Sequence, residues 1–472
     1  MGPRRKASQA PYGRGVPGAE GVFNLEEKAQ EEQQRLICAL TSTISHFFGG
    51  FSSLFAHVTD PRNPFKIIYP LASLTFAGVT MYLFHLKARR QLGLLLRNGP
   101  SIHKFQTLFG VECFPHGDTL DATFSNLNAD QVQTVVTGMT ETLIRKKVLY
   151  NYRLLGVHFI VAIDGTGTIS FSRRHCSHCL TRTSKGKTLY YHPVLEAKLV
   201  TSNGFAFSLM TEFIENHGDQ ATKQDCELKA FYRLADRLKN RFPRLPILLS
   251  MDGLFAGGPT FELCQSCGWK FMIVLKDNDL SSVNEEFDAL SKLQPENRLV
   301  WYTGKGAQIK QVFRWADDIA YVDSQKKEHT LSVIECLETK PEGQKTTKFK
   351  WVTNYRVSCK NITTLSNDGG RMRWKIENEG FNVQKKGGYE LEHAYTNHPN
   401  SAKIFYFLLQ IAHLLAQLIS KASLLTKDFR NGLGSAKNLA FRLLEAWRNA
   451  RITKADIAAS LQKRFQIRFD SS

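Results

Sequence analysis

Apolar and polar positions alternate along this chain in two distinct rhythms, and the rhythm changes once near Val157. From about Leu25 to Lys147 the apolar residues recur at helical spacing in the runs 25–48, 66–98 and 128–147. Breaks fall at Asp60-Pro61, Gly99-Pro100 and Pro115-His116-Gly117, where proline and glycine interrupt a helix. From Val157 the runs shorten: HFIVAID is a continuous apolar strand, and KTLYYHPVLEAKLV and FAFSLMTEFI follow with strand-like composition. KQDCELKAFYRLADRLKNRF is an amphipathic helix, and RLPILLSMD and KFMIVLK are two further buried strands around a helix at 259–268.

Three strands, a helix, a strand, a helix and a strand predict an α/β fold with a ribonuclease-H-like mixed sheet. Residues 281–355 hold short β-rich pieces (RLVWYT, QIKQVFRW, IAYVD, TLSVIECL, FKWVTN) and read as an inserted β subdomain. The resulting division is a flexible basic tail at 1–22, an N-terminal helical domain at 23–150 and a first catalytic segment at 151–280. After the insertion come a completing segment at 356–400 and a basic C-terminal helical region at 401–472. No repeat at a solenoid period is present.

Composition refines this picture in three ways. Of 472 residues 42% are hydrophobic and 22% charged, ordinary for a packed protein. A net charge of +19 favours polyanionic partners, nucleic acid or an anionic membrane. Residues 401–472 carry twelve Lys and Arg against four Asp and Glu, the pattern of a surface that meets backbone phosphates or of a solvated basic face. Nine cysteines scattered over the chain, with no cleavable signal segment at its start, fit a reducing compartment. The segment Lys66–Leu86 approaches the length of a membrane span, but Pro70, Ser73, Thr75, Gly78, Thr80 and His85 within it favour a buried helix and no membrane contact.

The chemistry concentrates in carboxylates. Asp164 follows the first buried strand in AIDGTGT, and Asp252 follows the fourth in LLSMDGLF, each with glycine next to it. If those strands are neighbours, two carboxylates meet side by side, and a hard divalent cation, magnesium or manganese, relieves their repulsion. Glu377, on the patterned stretch GRMRWKIENEGFNVQKKGG, is the candidate third ligand, with Glu379 as its competitor; at ~100° per residue the two face different ways. Taken singly, each aspartate reads more readily as a turn or cap residue, and it is the constellation that points to a site.

AIDGTG, SMDGLF and RMRWKIENEGFNVQKKGGYELEHAY together resemble insertion-sequence transposases of the DDE class, in the branch typified by insertion sequence four, over roughly Pro61 to Leu461. The resemblance implies a transposase with Asp164, Asp252 and Glu377 as catalytic and metal-holding residues around two Mg2+ or Mn2+ ions, nicking transposon ends and joining 3′-hydroxyls to target DNA. It implies double-stranded DNA as partner, a homodimer, and work in the cytoplasm at the nucleoid of a prokaryotic host. In the branch's helix signature Arg373 takes the arginine place and Glu377 the glutamate place. Gly370 stands where tyrosine is expected and Gln384 where lysine is expected, followed by Lys385 and Lys386. Arg373, Lys385 and Lys386 are therefore the expected DNA contacts, Arg373 holding a phosphate or, alternatively, pairing with Glu377. Trp301, Trp315 and Trp351 read either as stacking platforms for a base or as core of the insertion.

Two readings compete with an active transposase: a catalytically silent, DNA-binding descendant, which the intact triad opposes, and a kinase whose DGTGT resembles a phosphate-binding turn, which no second phosphate motif supports. HCSHC at 175–179, with His192 beyond, suggests zinc at Cys176 and Cys179. CQSC at 264–267 offers a second pair, although Cys264 lies in an amphipathic helix where a buried apolar cysteine is common.

Overall fold

The computed structural model describes residues 19–184, 186–216, 224–341, 346–462 and 466–469. Among these residues ten strands form one mixed sheet: β1 Phe159–Phe171, β2 Leu180–Ser184, β3 Lys187–Val200, β4 Ala206–Phe213, β5 Ile247–Met251, β6 Lys270–Val274, β7 Arg298–Thr303, β8 Ile309–Val322, β9 Glu328–Thr339 and β10 Thr346–Thr353. Their order is β2-β3-β1-β5-β6-β10-β9-β8-β7, with β4 also on β3. β3 runs antiparallel to both β1 and β4, whereas β5 runs parallel to β1 and β6 parallel to β5.

Both faces of this centre are covered, which is why β1 and β5 read as unbroken apolar runs. Val161, Ile163, Leu249 and Ile273 meet the helices Glu227–Arg241, Gly258–Cys267 and Ser281–Leu293 on one side. Ile160, Ala162, Leu248 and Met272 meet residues 362–386 on the other. The helix Glu227–Arg241 buries Ala230, Phe231, Leu234, Ala235 and Leu238. From its rim Arg233 and Arg237 donate to Glu212 on β4, fixing the helix along the sheet. Pro259 opens and Gly268, at φ 67°, closes the helix Gly258–Cys267, the usual division of labour between those residues.

The segment read as an inserted β subdomain forms strands, but they do not stand apart. β10 pairs antiparallel with β6, so β7–β10 prolong the same sheet. β6 ends the parallel part with a free hydrogen-bonding edge, and an added strand satisfies those groups. The segment 1–22 lies outside the described residues up to 18, and Ala19 already belongs to the helix Ala19–Phe48.

The C-terminal region is helical. Pro399–Lys421 is core: by length and composition it suffices to cross a membrane, yet 89% of its most apolar window is buried within the protein. With Leu71–Leu83, itself almost wholly buried, and with Trp447 from the helix Ala436–Asn449, it builds one apolar cluster shared by the N- and C-terminal regions. Among the described residues of 401–472, exposed basic side chains include Lys427, Lys437, Arg448 and Arg451.

Candidate active site

Register brings the two aspartates together. Along the parallel pair, Ala162 lies opposite Ser250, and two residues further each strand reaches its aspartate. Successive side chains alternate faces, so Asp164 and Asp252 stand level on the same face. Asp164 does not end its strand: β1 continues to Phe171, and what ends near Asp164 is full burial. Asp252 lies just past β5, where its Oδ1 accepts from the Leu254 N–H at 3.0 Å and caps a short turn. The capping role and a functional one coexist in this side chain.

Residues 362–386 approach from across the sheet as one continuous but irregular helix. Two π-helical turns, Leu365–Gly369 and Ile376–Phe381, interrupt it, and Glu377 sits in the second. Such widened turns are frequent at functional sites. The helix comes close because Gly369 and Gly370 lack side chains: a Cβ would lie 2.8 Å from Met272 Sδ at the first and 2.6 Å from Trp351 Cε2 at the second. Trp351 therefore fills the volume that a tyrosine at position 370 would need. At the other altered place, Gln384 is fully buried and donates to Gln410 and His413, so it faces the interior and not a ligand.

The electrostatics of Asp164 report the assembly. Burial pushes its carboxyl up to about 6; the Arg373 guanidinium opposes this, while the charges of Asp252 and Glu377 add to the rise. Arg373 is nearly buried, with Nη1 3.4 Å from Asp164 Oδ2 and its guanidinium 4.5 Å from the centre of the Trp374 ring. Its ion pair is thus with Asp164 and not with Glu377. Glu379 points elsewhere, to Lys375 at 3.2 Å and beside Gly204 with Lys421. Lys385 is paired with Glu392 at 2.9 Å, and Lys386 is exposed.

One member of this cluster escaped the sequence reading. Glu227 opens the helix Glu227–Arg241 and lies so close over Gly165 that a Cβ there would be 2.2 Å from Glu227 Oε1. Burial first, then Asp164 and Asp252, raise its pKa. An acidic residue at a helix start is commonplace because it suits the helix dipole, so nothing in the pattern sets it apart. Trp374, 47% exposed beside Arg373, was likewise missed. Of the tryptophans that were considered, Trp315 and Trp351 are core and only Trp301 is exposed.

Behind the site lies a buried polar network. Lys198 Nζ sits 3.2 Å from Glu196 and donates to Gln410 at 2.6 Å, while Glu196 accepts from Ser208, Thr211 and Tyr406. Gly380 rests on the Lys198 stem, so this network ties the Glu377 segment to Pro399–Lys421.

A second group of donors lies further along the β1–β3 ladder. The ligating atoms of His175, Cys176, Cys179 and His192 fall within 4.8 Å of one another. Cys264 and Cys267 are not among them: Cys264 is fully buried in the apolar core beside Phe261 and Phe271.

No family model matches this chain, and no curated protein matches it. Among solved structures, the cryo-EM structure of a piggyBac transposase synaptic complex with hairpin DNA aligns at a TM-score of 0.36 and 11% identity, over 91% of this chain and 82% of that one. A likeness of that size carries no argument about function, which rests instead on the carboxylates and their neighbours.

Proposed function

We propose that the chain is a metal-dependent DNA transposase of the DDE class, in the insertion-sequence-four-like branch, with a ribonuclease-H-like catalytic core. The observation that carries this reading is the gathering of Asp164, Asp252 and Glu377 from two parallel strands and one facing helix, with Arg373 as the cation paired to Asp164. The order β4-β3-β1-β5-β6, three antiparallel strands followed by two parallel to the first, supports the ribonuclease-H-like assignment.

The donor set fits a hard divalent cation. It offers carboxylate oxygens, and Asp252 and Glu377 stand near enough for their charges to add to the rise that burial chiefly causes at Asp164. Asp164, Asp252 and Glu377 would hold Mg2+ or Mn2+, and the bound ions would supply Lewis acidity for activating an oxygen nucleophile and stabilising the leaving 3′-oxygen at phosphorus. Arg373, freed from Asp164, is placed to grip a phosphate beside the scissile bond. Trp374 offers an exposed ring for a base, and Lys386, with Lys385 behind its Glu392 pair, continues the basic track. Double-stranded transposon ends and target DNA are the substrates, a homodimer cuts both ends together, and the nucleoid of a prokaryotic cell is the place of action.

The test is metal-dependent nicking and strand transfer on DNA carrying the element's own ends, comparing wild type with Asp164→Ala, Asp252→Ala and Glu377→Ala. All three lose both reactions while retaining DNA binding. Undiminished cleavage in any one removes that residue from the scheme.

A further inference from the structure

We propose that His175, Cys176, Cys179 and His192 hold a structural zinc ion that pins the β2–β3 hairpin against β1. The four donors are of the kind that tetrahedral zinc takes, and their spacing suits it. Cys176 Sγ lies 3.4 Å from Cys179 Sγ and 3.4 Å from His192 Nε2; Cys179 Sγ lies 3.2 Å from His175 Nδ1 and 3.4 Å from His192 Nε2. Tetrahedral bonds of about 2.3 Å to sulfur and about 2.0 Å to nitrogen place such atoms roughly 3.4–3.8 Å apart. Two thiols and two imidazoles therefore converge to near ligand distance without a disulfide. On binding Zn2+ the thiols of Cys176 and Cys179 release their protons to solvent, and two thiolates neutralise the ion.

The surroundings are built for this. Three donors come from the loop between β1 and β2, and the fourth stands on β3 opposite Ile169 of β1. Thr168 donates to the His192 carbonyl at 2.7 Å, Asn216 donates to the Cys179 carbonyl at 2.9 Å, and Arg174 donates to the Cys176 carbonyl at 3.2 Å. His178, inside the same HCSHC run, turns away to the Asn216 carbonyl at 3.1 Å. Sequence offered three histidines near the pair, and the fold selects His175 and His192.

Position gives the ion its purpose. Beyond it, Arg182 of β2 and Tyr191 of β3, 5.3 Å from guanidinium carbon to ring centre, line a groove of about 500 Å3. That groove follows β1 past Gly167 and Gly165 to Glu227, beside Asp164. β2 is a short edge strand held by β3, and the zinc clamp at its start fixes how these two side chains face the groove. That the groove takes DNA rests on the transposase reading; the ion does not.

Metal analysis of the purified full-length chain tests the proposal. Wild type carries about one zinc per chain, as does the control Cys38→Ser, while Cys176→Ser and His192→Ala carry almost none. His192→Cys, which exchanges one zinc donor for another, keeps the metal. Cobalt(II) exchanged into wild type gives the intense visible bands of a tetrahedral thiolate site. Amide hydrogen exchange then quickens across 176–192 in the zinc-free variants and stays unchanged at Ile247–Met251. Absence of zinc from wild type together with failure to bind cobalt overturns the idea, as does undiminished zinc in Cys176→Ser. None of these readouts involves DNA cleavage, so failure of the catalytic scheme leaves them interpretable.

Discussion

Replacing Asp164 with asparagine tests the charge balance of the site directly. The carboxyl is raised from 3.8 to about 6, chiefly by burial and further by Asp252 and Glu377 against the pull of Arg373. A folded-state pKa above the unfolded one means that the native protein binds this proton more tightly. The resulting stability is fully present below about pH 4 and is lost as pH rises to about 6 and beyond. Two pKa units, with the pull of Arg373 already included in the shift, correspond to about 3 kcal/mol, an upper figure because solvent screens the partly exposed carboxylate. In magnesium-free buffer Asp164→Asn should thus match wild type near pH 4 and be more stable by about 1–3 kcal/mol at pH 8. Added Mg2+ should reverse the order, raising the unfolding midpoint of wild type by mass action and leaving the variant almost unmoved. Urea unfolding at the two pH values, with and without 10 mM-scale Mg2+ (roughly saturating for a weak carboxylate site), measures all four quantities. A variant no more stable than wild type at pH 8, or one that Mg2+ stabilises equally, would refute the reasoning.

Three further outcomes are expected. Gly370→Ala forces its Cβ into Trp351 and should cost about 1–3 kcal/mol in unfolding free energy, with Gly370→Tyr worse despite matching the family's signature. Arg373→Lys keeps a positive charge but loses the planar fork, so cleavage should fall by roughly 10²–10³ in rate with the unfolding midpoint little changed. Lys198→Met strands the buried Glu196 carboxylate and should destabilise by about 3–5 kcal/mol, read from denaturant midpoints, the partial compensation by Ser208, Thr211 and Tyr406 setting where in that range it falls.

What the chain discloses before folding follows the range of the forces involved. The strands β1, β5 and β6 are visible as apolar runs because burial on both faces removes alternation. Asp164 and Asp252 are visible together because each follows an apolar run and precedes glycine, although either alone reads as a turn or cap residue. Their mutual level is not visible, since it depends on the β1–β5 register. The joining of β10 to β6 is equally hidden, being an edge pairing between residues distant in sequence. Glu227 hides behind an ordinary helix-start preference, and the His175–His192 choice depends on which strand lies opposite Ile169. The basic count over 401–472 does not reveal that its first helix, Pro399–Lys421, is core, because most of those charges lie after Lys421.

The π turn at Ile376–Phe381 carries a genetic consequence. A π turn holds one residue more than the α turn it replaces, and Glu377 sits within it. Loss of a single codon from this turn would let the backbone relax to ordinary i→i+4 bonding, preserving the helix, the sheet and the buried Lys198 network. The carboxylate would meanwhile swing by about 100° relative to Asp164 and Asp252. A copy so shortened would express as a folded protein that grips its ligand but performs no chemistry. On the proposed transposase function, in-frame single-residue deletions here are a short mutational route from an active gene to a silent competitor of its own product.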